Sequence, residues 1–151
     1  MCLTINKNAE ERVKRLRAKK KTITAYKALA YLGNKWVSLY KNMIYVNGLN
    51  VSNRESAKLN CREKGVLWVN EGLHCYVSLR AAKLDGHLYD KIFKVKINTE
   101  DIVAFGFFEH SYFPCVVCTK MEVDLDHPIE IEKMGYWERQ AMKHKIARSG
   151  K

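Results

Sequence analysis

The sequence predicts a single α+β domain with a mostly antiparallel sheet and a basic helix at each terminus. Its 151 residues suit one domain with one ordinary hydrophobic core. Short runs with the period of two that is typical of strands fill the middle of the chain, and segments rich in Lys and Arg with helical spacing lie at both ends. The predicted layout is a basic helix over 8–21, a sheet core over 22–132 and a basic helix over 135–148.

The excess of positive over negative charge in the chain is confined to its two ends. The sequence has 27 Lys and Arg against 16 Asp and Glu, a formal net charge of +11. Residues 1–21 carry eight basic and two acidic side chains, residues 133–151 carry six and one, and the remainder has thirteen of each. Basic segments that flank a neutral domain are typical of proteins that meet a polyanion.

The first predicted helix has favourable end charges. Asn8 is the expected N-cap, and Glu10 and Glu11 lie in the first turn, where the helix dipole favours carboxylates. A strand is expected over 22–29, and Gly33-Asn34 is a plausible hairpin turn into a second strand over 36–46. Residues 47–65 are polar and without period, which predicts a loop, with a turn of helix around 55–59 as an alternative for that part.

The second half of the chain predicts further short strands and two helices. The pattern Phe93, Val95, Ile97 inward and Lys94, Lys96 outward is the clearest alternation in the chain. The other predicted elements are strands over 66–69, 73–77, 102–105 and 115–123, a short helix over 79–84 that is capped by Ser78 and stopped at Asp85-Gly86, and the terminal helix.

Eleven cations in the two terminal helices are the candidate nucleic-acid contacts. Lys and Arg that neutralise phosphates release condensed counterions, which gives salt-dependent affinity with little sequence preference. A solvated helix surface is the alternative reading of the same charges. The candidates are Arg12, Lys14, Arg15, Arg17, Lys19, Lys20, Lys21, Arg139, Lys143, Lys145 and Arg148.

Aromatic and polar side chains on the predicted strands allow two readings as well. Trp36, Tyr40, Tyr45 and Trp68 could stack on bases or pack in the core. His74 shares a strand face with Tyr76 and Ser78, so these residues could line a cleft, or His74 could be an ordinary strand histidine.

The five cysteines form no regular disulfide framework and favour reduced thiols in a cytoplasm. Two cysteines and two histidines could form a metal-binding set: Cys115, Cys118, His110 and His127. Residues three apart on a strand point to opposite faces, however, so the two thiols would not converge and no metal site is predicted. Cys2 would combine a free amine with a thiol if Met1 were removed; an unprocessed or buried Cys2 is the alternative. No apolar run is long enough to cross a bilayer, so no membrane partner is expected.

Several short motifs resemble those of small bacteriophage and prophage proteins. They are the opening Met1-Cys2-Leu3-Thr4-Ile5, then Tyr26-Lys27-Ala28-Leu29, and the segment Gly72-Leu73-His74-x-Tyr76-x-Ser78-x-x-x-Ala82. This resemblance implies an accessory protein made in the cytoplasm of a bacterial host. It assigns no chemistry.

A second resemblance is to the ADP-ribosyltransferase-like fold. Tyr76-Val77-Ser78 and the run 93–106 are similar to the middle of a phage anti-CRISPR ADP-ribosyltransferase. The resemblance implies that Tyr26 or Lys27 occupies the first motif position, Tyr76 or Ser78 the second and Glu122 the third. It further implies an NAD-using enzyme with His74, Tyr76 and Glu122 around a cleft.

Three functions are therefore predicted as alternatives. The leading one is a phage accessory protein, active in host takeover or counter-defence, that binds nucleic acid or a host ribonucleoprotein through its basic terminal helices and needs no cofactor. The second is the NAD-using transferase acting on a host target. The third is an inhibitor that binds an acidic surface of a host defence protein. The oligomeric state is left open.

Overall fold

A computed structural model describes residues 3–5, 7–38, 43–52, 60–62, 66–69, 72–86, 89–108, 113–131 and 135–149. The predicted α+β class is confirmed, because three helices accompany one large sheet in which every described strand pair is antiparallel. The helices are α1 (Lys7–Ala18), α2 (Leu79–Asp85) and α3 (Tyr136–Ser149). The strands are β1 (Leu3–Ile5), β2 (Thr22–Leu32), β3 (Lys35–Val37), β4 (Ile44–Tyr45), β5 (Gly48–Val51), β6 (Asn60–Arg62), β7 (Val66–Val69), β8 (Leu73–Tyr76), β9 (Lys91–Asn98), β10 (Ile102–Phe108), β11 (Pro114–Cys118), β12 (Lys120–Val123) and β13 (Ile129–Glu130).

The sheet has the strand order β5-β12-β9-β2-β8-β11-β10-β1-β7-β6. Its centre is the ladder between β2 and β9, which runs from the pair Thr22 and Asn98 to the pair Leu29 and Lys91. Side chains of neighbouring residues alternate between the two faces of a sheet, so each strand in this ladder contributes to both faces. β13 pairs with β9, β3 pairs with the last three residues of β2, and β4 pairs with β3.

One face of the sheet, which we call the α1 face, is covered by α1. Its core contains Leu29, Phe93 and Val116, all fully buried, and Val13 of α1 packs into the same cluster. Helix α1 contacts β10 and the 3-10 turn at Thr99–Asp101. The apolar side of a mostly polar helix is thereby withdrawn from water, and its opposite side is left exposed.

The other face, which we call the α2 face, carries α2 and α3. Its core combines Ala82 and Leu84 of α2 with Ile92 and Val117 of the sheet. Helix α3 packs on α2, and its Met142 contacts this core. The alternation within β9 and β11 divides the two cores cleanly, because Ile92 and Phe93, and likewise Val116 and Val117, belong to different clusters.

Local sequence signals explain several element boundaries. Ser78 caps α2, as predicted, with its hydroxyl accepting a hydrogen bond from the backbone N–H of Ala81 at 3.1 Å. The helix ends at Asp85 with Gly86 as its C-cap, one residue beyond the predicted end at position 84. Gly33 and Asn34 both have positive φ angles, +54° and +61°, which fits the two-residue hairpin turn between β2 and β3. The prediction of Asn8 as the cap of α1 is wrong, because the helix begins at Lys7.

The predicted strand over 36–46 is wrong, because this segment forms two strands. Trp36 of β3 pairs with Tyr45 of β4 in antiparallel register, so the chain reverses direction between them. The Ser38 N–H donates to the Met43 carbonyl at 2.9 Å and closes this reversal.

The predicted loop over 47–65 and the predicted single strand over 115–123 need correction too. The segment 47–65 contains β5, which pairs with β12, and β6, which pairs with β7. The buried side-chain amide of Asn50 accepts a hydrogen bond from the N–H of Val46 and donates one to the carbonyl of Val46, and these bonds shape the start of β5. The segment 115–123 divides at Thr119 into two strands, β11 beside β8 and β12 beside β9. The N–H of Thr119 donates to the Asp101 carbonyl at this division. Sequence reasoning also missed β1.

The buried thiols of Cys75, Cys115 and Cys118 predict a reactivity pattern. Burial raises the pKa of Cys75 to about 12, an effect that nearby Lys27 only partly offsets. The folded protein favours the protonated Cys75 thiol more than the unfolded chain does. The stabilisation from this protonated thiol is complete below pH 9 and is lost as the pH rises towards 12.

We expect a thiol-reactive chromophore at pH 8 to modify at most two of the five cysteines in the native protein and all five in denaturant. Rapid modification of three or more thiols without denaturant would contradict the buried positions. The free energy of unfolding should fall between pH 9 and pH 12, as measured by urea titration at each pH.

Candidate nucleic-acid interface

The outer side of α1 and the residues that follow it form a dense cationic surface. We call this the α1 surface; its exposed cations are Lys14, Arg15, Arg17, Lys19, Lys20 and Lys21. Among the described residues, the only ion pair of this set joins Arg15 and Glu11 at 3.9 Å, and both of these side chains are largely exposed. An exposed pair of this kind is weak. Almost all of the charge on the α1 surface therefore faces solvent without a partner in the described structure.

Local structure explains why the end of α1 tolerates so many cations. The helix ends at Ala18, and the N–H groups of Lys19 and Lys20 donate to the carbonyls of Leu16 and Arg17 in the closing turn. Cations beside the last carbonyls of a helix are favoured by its dipole. Arg12 differs from its neighbours, because its guanidinium lies 4.9 Å from the centroid of the Phe105 ring and helps to attach α1 to the sheet.

The cations of α3 differ in exposure: some pack against the protein and others face solvent. Lys143 faces inward, with its ammonium 4.0 Å from Asp85 and 5.9 Å from the centroid of the Phe113 ring, and its side chain is only 23% exposed. Arg139 is half-buried, whereas Lys145 is exposed. Arg148 lies within α3, but its side chain is outside the described part of the structure. Helix α3 therefore presents fewer cations than α1.

The two basic helices lie on opposite faces of the sheet. Val13 of α1 belongs to the same buried cluster as Phe93, whereas Met142 of α3 packs against the other cluster, which contains Ile92, the neighbour of Phe93 on β9. The sheet thus separates the two groups of predicted nucleic-acid contacts. They are two surfaces and not one continuous patch.

The three residues predicted to surround a catalytic cleft are not brought together. His74 and Tyr76 are buried on β8, and Glu122 is exposed on β12. Strands β2 and β9 lie between β8 and β12, which separates them by roughly 14 Å at the usual spacing of strands. Tyr26 is directly opposite Tyr76 on the neighbouring strand, but Glu122 pairs with Lys96 and Leu49 instead.

Tyr76 participates in a structural network instead of facing a cleft. Its hydroxyl donates to the Asp85 carboxylate at 2.7 Å, and the other carboxylate oxygen of Asp85 faces Lys143. Burial, followed by the adjacent charge of Asp85, raises the pKa of Tyr76 well above its usual value. The network connects β8, the end of α2 and α3, and so fixes α3 on the α2 face.

Lys27, the other candidate for the first motif position, is buried on the opposite face from Tyr76. Its ammonium donates to the carbonyl of His74 at 2.6 Å and lies 5.2 Å from the centroid of the Tyr45 ring. Burial opposes the charge, but Tyr45, Cys75 and Tyr89 raise the pKa of Lys27. The His74 ring nitrogen Nδ1 lies 3.2 Å from the carbonyl of Gly72. The Lys27 hydrogen bond ties β2 to β8 at a point where the two strands share only one backbone pair.

The remaining candidates fall into packed or undescribed positions. Trp36 is half-buried against Tyr31 and Phe93, with ring centroids 4.8 and 4.7 Å apart, and Tyr45 is buried. Cys115 and Cys118 belong to the cores of opposite faces, as the strand period predicted. Cys2, Tyr40 and His110 lie outside the described residues, as does the Trp68 side chain; His127 is exposed beside Asp124.

Sequence reasoning missed the exposed aromatic residues at the start of α3, of which Trp137 is the more exposed. Trp137, the second residue of α3, is 82% exposed. Positions 140, 141 and 144, which share its side of the helix, hold Gln, Ala and His. The lack of a large apolar side chain at this spacing is the sequence signal that could have identified it.

Comparison of the chain with protein-family models, curated proteins and solved structures finds no match. In the described part of the chain, no helix combines the length and the apolar character needed to cross a bilayer.

Substitution Tyr76→Phe is expected to lower the free energy of unfolding by about 1–3 kcal/mol, because half-buried Asp85 loses a hydrogen-bond donor. Tyr31→Phe is the matched control, since Tyr31 is 49% exposed, and its effect should stay within about 0.5 kcal/mol. Urea titration of the three proteins measures both effects. Equal stability of the two variants would show that the Tyr76 network does not hold α3 in place.

Proposed function

We propose that this protein binds nucleic acid through the α1 surface. The observation that supports this proposal is the set of exposed cations Lys14, Arg17, Lys19, Lys20 and Lys21, which have no ion pair within the described structure. A fold needs no such concentration of like charge for its own stability, because neighbouring cations repel one another. A polyanion relieves this repulsion.

The mechanism is the neutralisation of phosphates with release of counterions. Each phosphate that a Lys or Arg neutralises on a duplex contributes a slope of roughly −0.9 to the dependence of log Kobs on log salt. Helix α1 is anchored by Val13 and Leu16 to the sheet, so its cations are held at one rigid surface. Such a surface contacts the backbone of a nucleic acid without reading its bases.

The biological setting that we propose is a phage accessory protein in the cytoplasm of a bacterial host. The support for this setting is the resemblance of the Gly72-Leu73-His74 segment and of the opening residues to small phage proteins. The target on this proposal is host or phage nucleic acid, free or within a ribonucleoprotein. The competing possibility is that the α1 surface binds an acidic surface of a protein, and the experiments below distinguish it from nucleic-acid binding.

The decisive variant replaces Lys14, Arg17 and Lys19 by Gln. Its binding to a random DNA duplex should show a salt slope reduced by about 2–3, because up to three phosphate contacts are lost. The wild-type affinity should fall about 1,000-fold or more between roughly 50 and 200 mM salt if six phosphates are engaged. Fluorescence anisotropy at a series of salt concentrations measures both quantities.

The matched control replaces Lys35, Lys94 and Lys96 by Gln. These lysines are also exposed and lie on strands, so each variant loses three charges from the net +11 at different places. A control with the same reduced slope would show that net charge acts alone and would overturn the assignment to α1. Capture of a host protein from a lysate that persists after nuclease digestion and is lost in the α1 variant would favour a protein target.

A further inference from the structure

The start of α3 exposes two aromatic rings that the fold does not use. Trp137 is 82% exposed and Tyr136 is 63% exposed, and the two rings meet edge to face with centroids 5.1 Å apart. Burying a Trp side chain is among the most favourable contributions that a residue makes to folding. A ring of this size that remains in water, braced by a second ring, is available to a partner.

The surroundings of Trp137 show which chemistry fits that partner. The buried side of α3 is the one with Met142 and Lys143, so Trp137 and the exposed His144 lie on the opposite, outward side. Lys145 is exposed one residue further on, and helical spacing places position 148, an Arg, in line with Trp137 and His144. Aromatic and cationic groups along one helix suit an anionic polymer that also presents flat rings.

We propose that the outward side of α3 binds single-stranded nucleic acid, with an unpaired base stacked on Trp137 and phosphates beside Lys145. This inference rests on the proposed function and names the form of nucleic acid that a second surface would select. Only an unpaired base exposes its face, whereas the bases of a duplex are stacked on their neighbours. The α1 surface holds phosphates of either form, so α3 supplies the preference for single strands.

The position of α3 makes this contact separable from that of α1. The sheet lies between the two helices, so a substitution on one leaves the other in place. Trp137 is largely exposed, and its replacement therefore removes little packing. Loss of binding in a Trp137 variant can be attributed to the lost ring once thermal unfolding shows an unchanged transition.

The experiment compares Trp137→Ala with the wild type on a 20-nucleotide thymidine strand and on the duplex that this strand forms with its complement. The expected result is a 5- to 150-fold weaker affinity for the single strand, from about 1–3 kcal/mol per stacked base, and unchanged affinity for the duplex. Trp137→Tyr should restore most of the affinity, because a smaller ring still stacks. Tyr31→Ala, a half-exposed aromatic of the β2 end, is the control and should bind both ligands as the wild type does.

Tryptophan fluorescence gives an independent readout. Binding of the single strand should quench the wild-type emission, and the quenching should be absent from Trp137→Ala, which retains Trp36 and Trp68. Unchanged single-strand affinity in Trp137→Ala, or an equal loss on the duplex, would overturn the inference while leaving the proposed function intact. Failure of the wild type to bind either ligand would instead refute the proposed function. A response of Trp137 to phosphatidylserine vesicles but to no nucleic acid would also overturn the inference, in favour of a membrane surface.

Discussion

Eight consecutive cross-strand pairs between β2 and β9 hold the two halves of this protein together. Every other part of the fold is organised around that ladder: β12, β13 and β5 extend it on one side, and β8 and the strands beyond it on the other. Because its side chains alternate, the ladder builds two cores at once, one under α1 and one under α2. A shift of one residue in its register would exchange the residues of both cores, so the pairing fixes which helix covers which face.

The polar groups inside the fold serve this arrangement. Lys27 reaches from β2 to the carbonyl of His74, where the two strands have little backbone pairing, and the Tyr76–Asp85–Lys143 network attaches α3 to α2. Two of the three side chains that look catalytic in the sequence, His74 and Tyr76, are therefore engaged in structural bonds, and the third, Glu122, is exposed on β12. The cations that remain in solvent are concentrated on α1, and this division between engaged and exposed charge is the physical basis for assigning binding to the helix surface instead of to the sheet.

Local patterns were sufficient to predict much of the fold but little of the site. The alternation around Lys94 and Lys96 predicted β9, and Ser78 predicted the start of α2, because both signals involve residues that are near in sequence. The reversal after Trp36 and the strand around Asn50 were missed, since each depends on a bond that the amino-acid pattern alone does not reveal. The inward position of Lys143 depends on Asp85, which is remote in sequence, so composition could not separate it from its neighbours on α3.

The separation of α1 from α3 by a sheet sets the valency of the molecule. Two helices packed on opposite faces have axes about 20 Å apart, and a rigid duplex lying along one of them does not reach the other. A flexible strand reaches both only by passing around an edge of the sheet. On the proposed binding at both surfaces, the protein would act as a bivalent crosslinker that tethers two segments at low protein concentration and saturates each segment separately in excess.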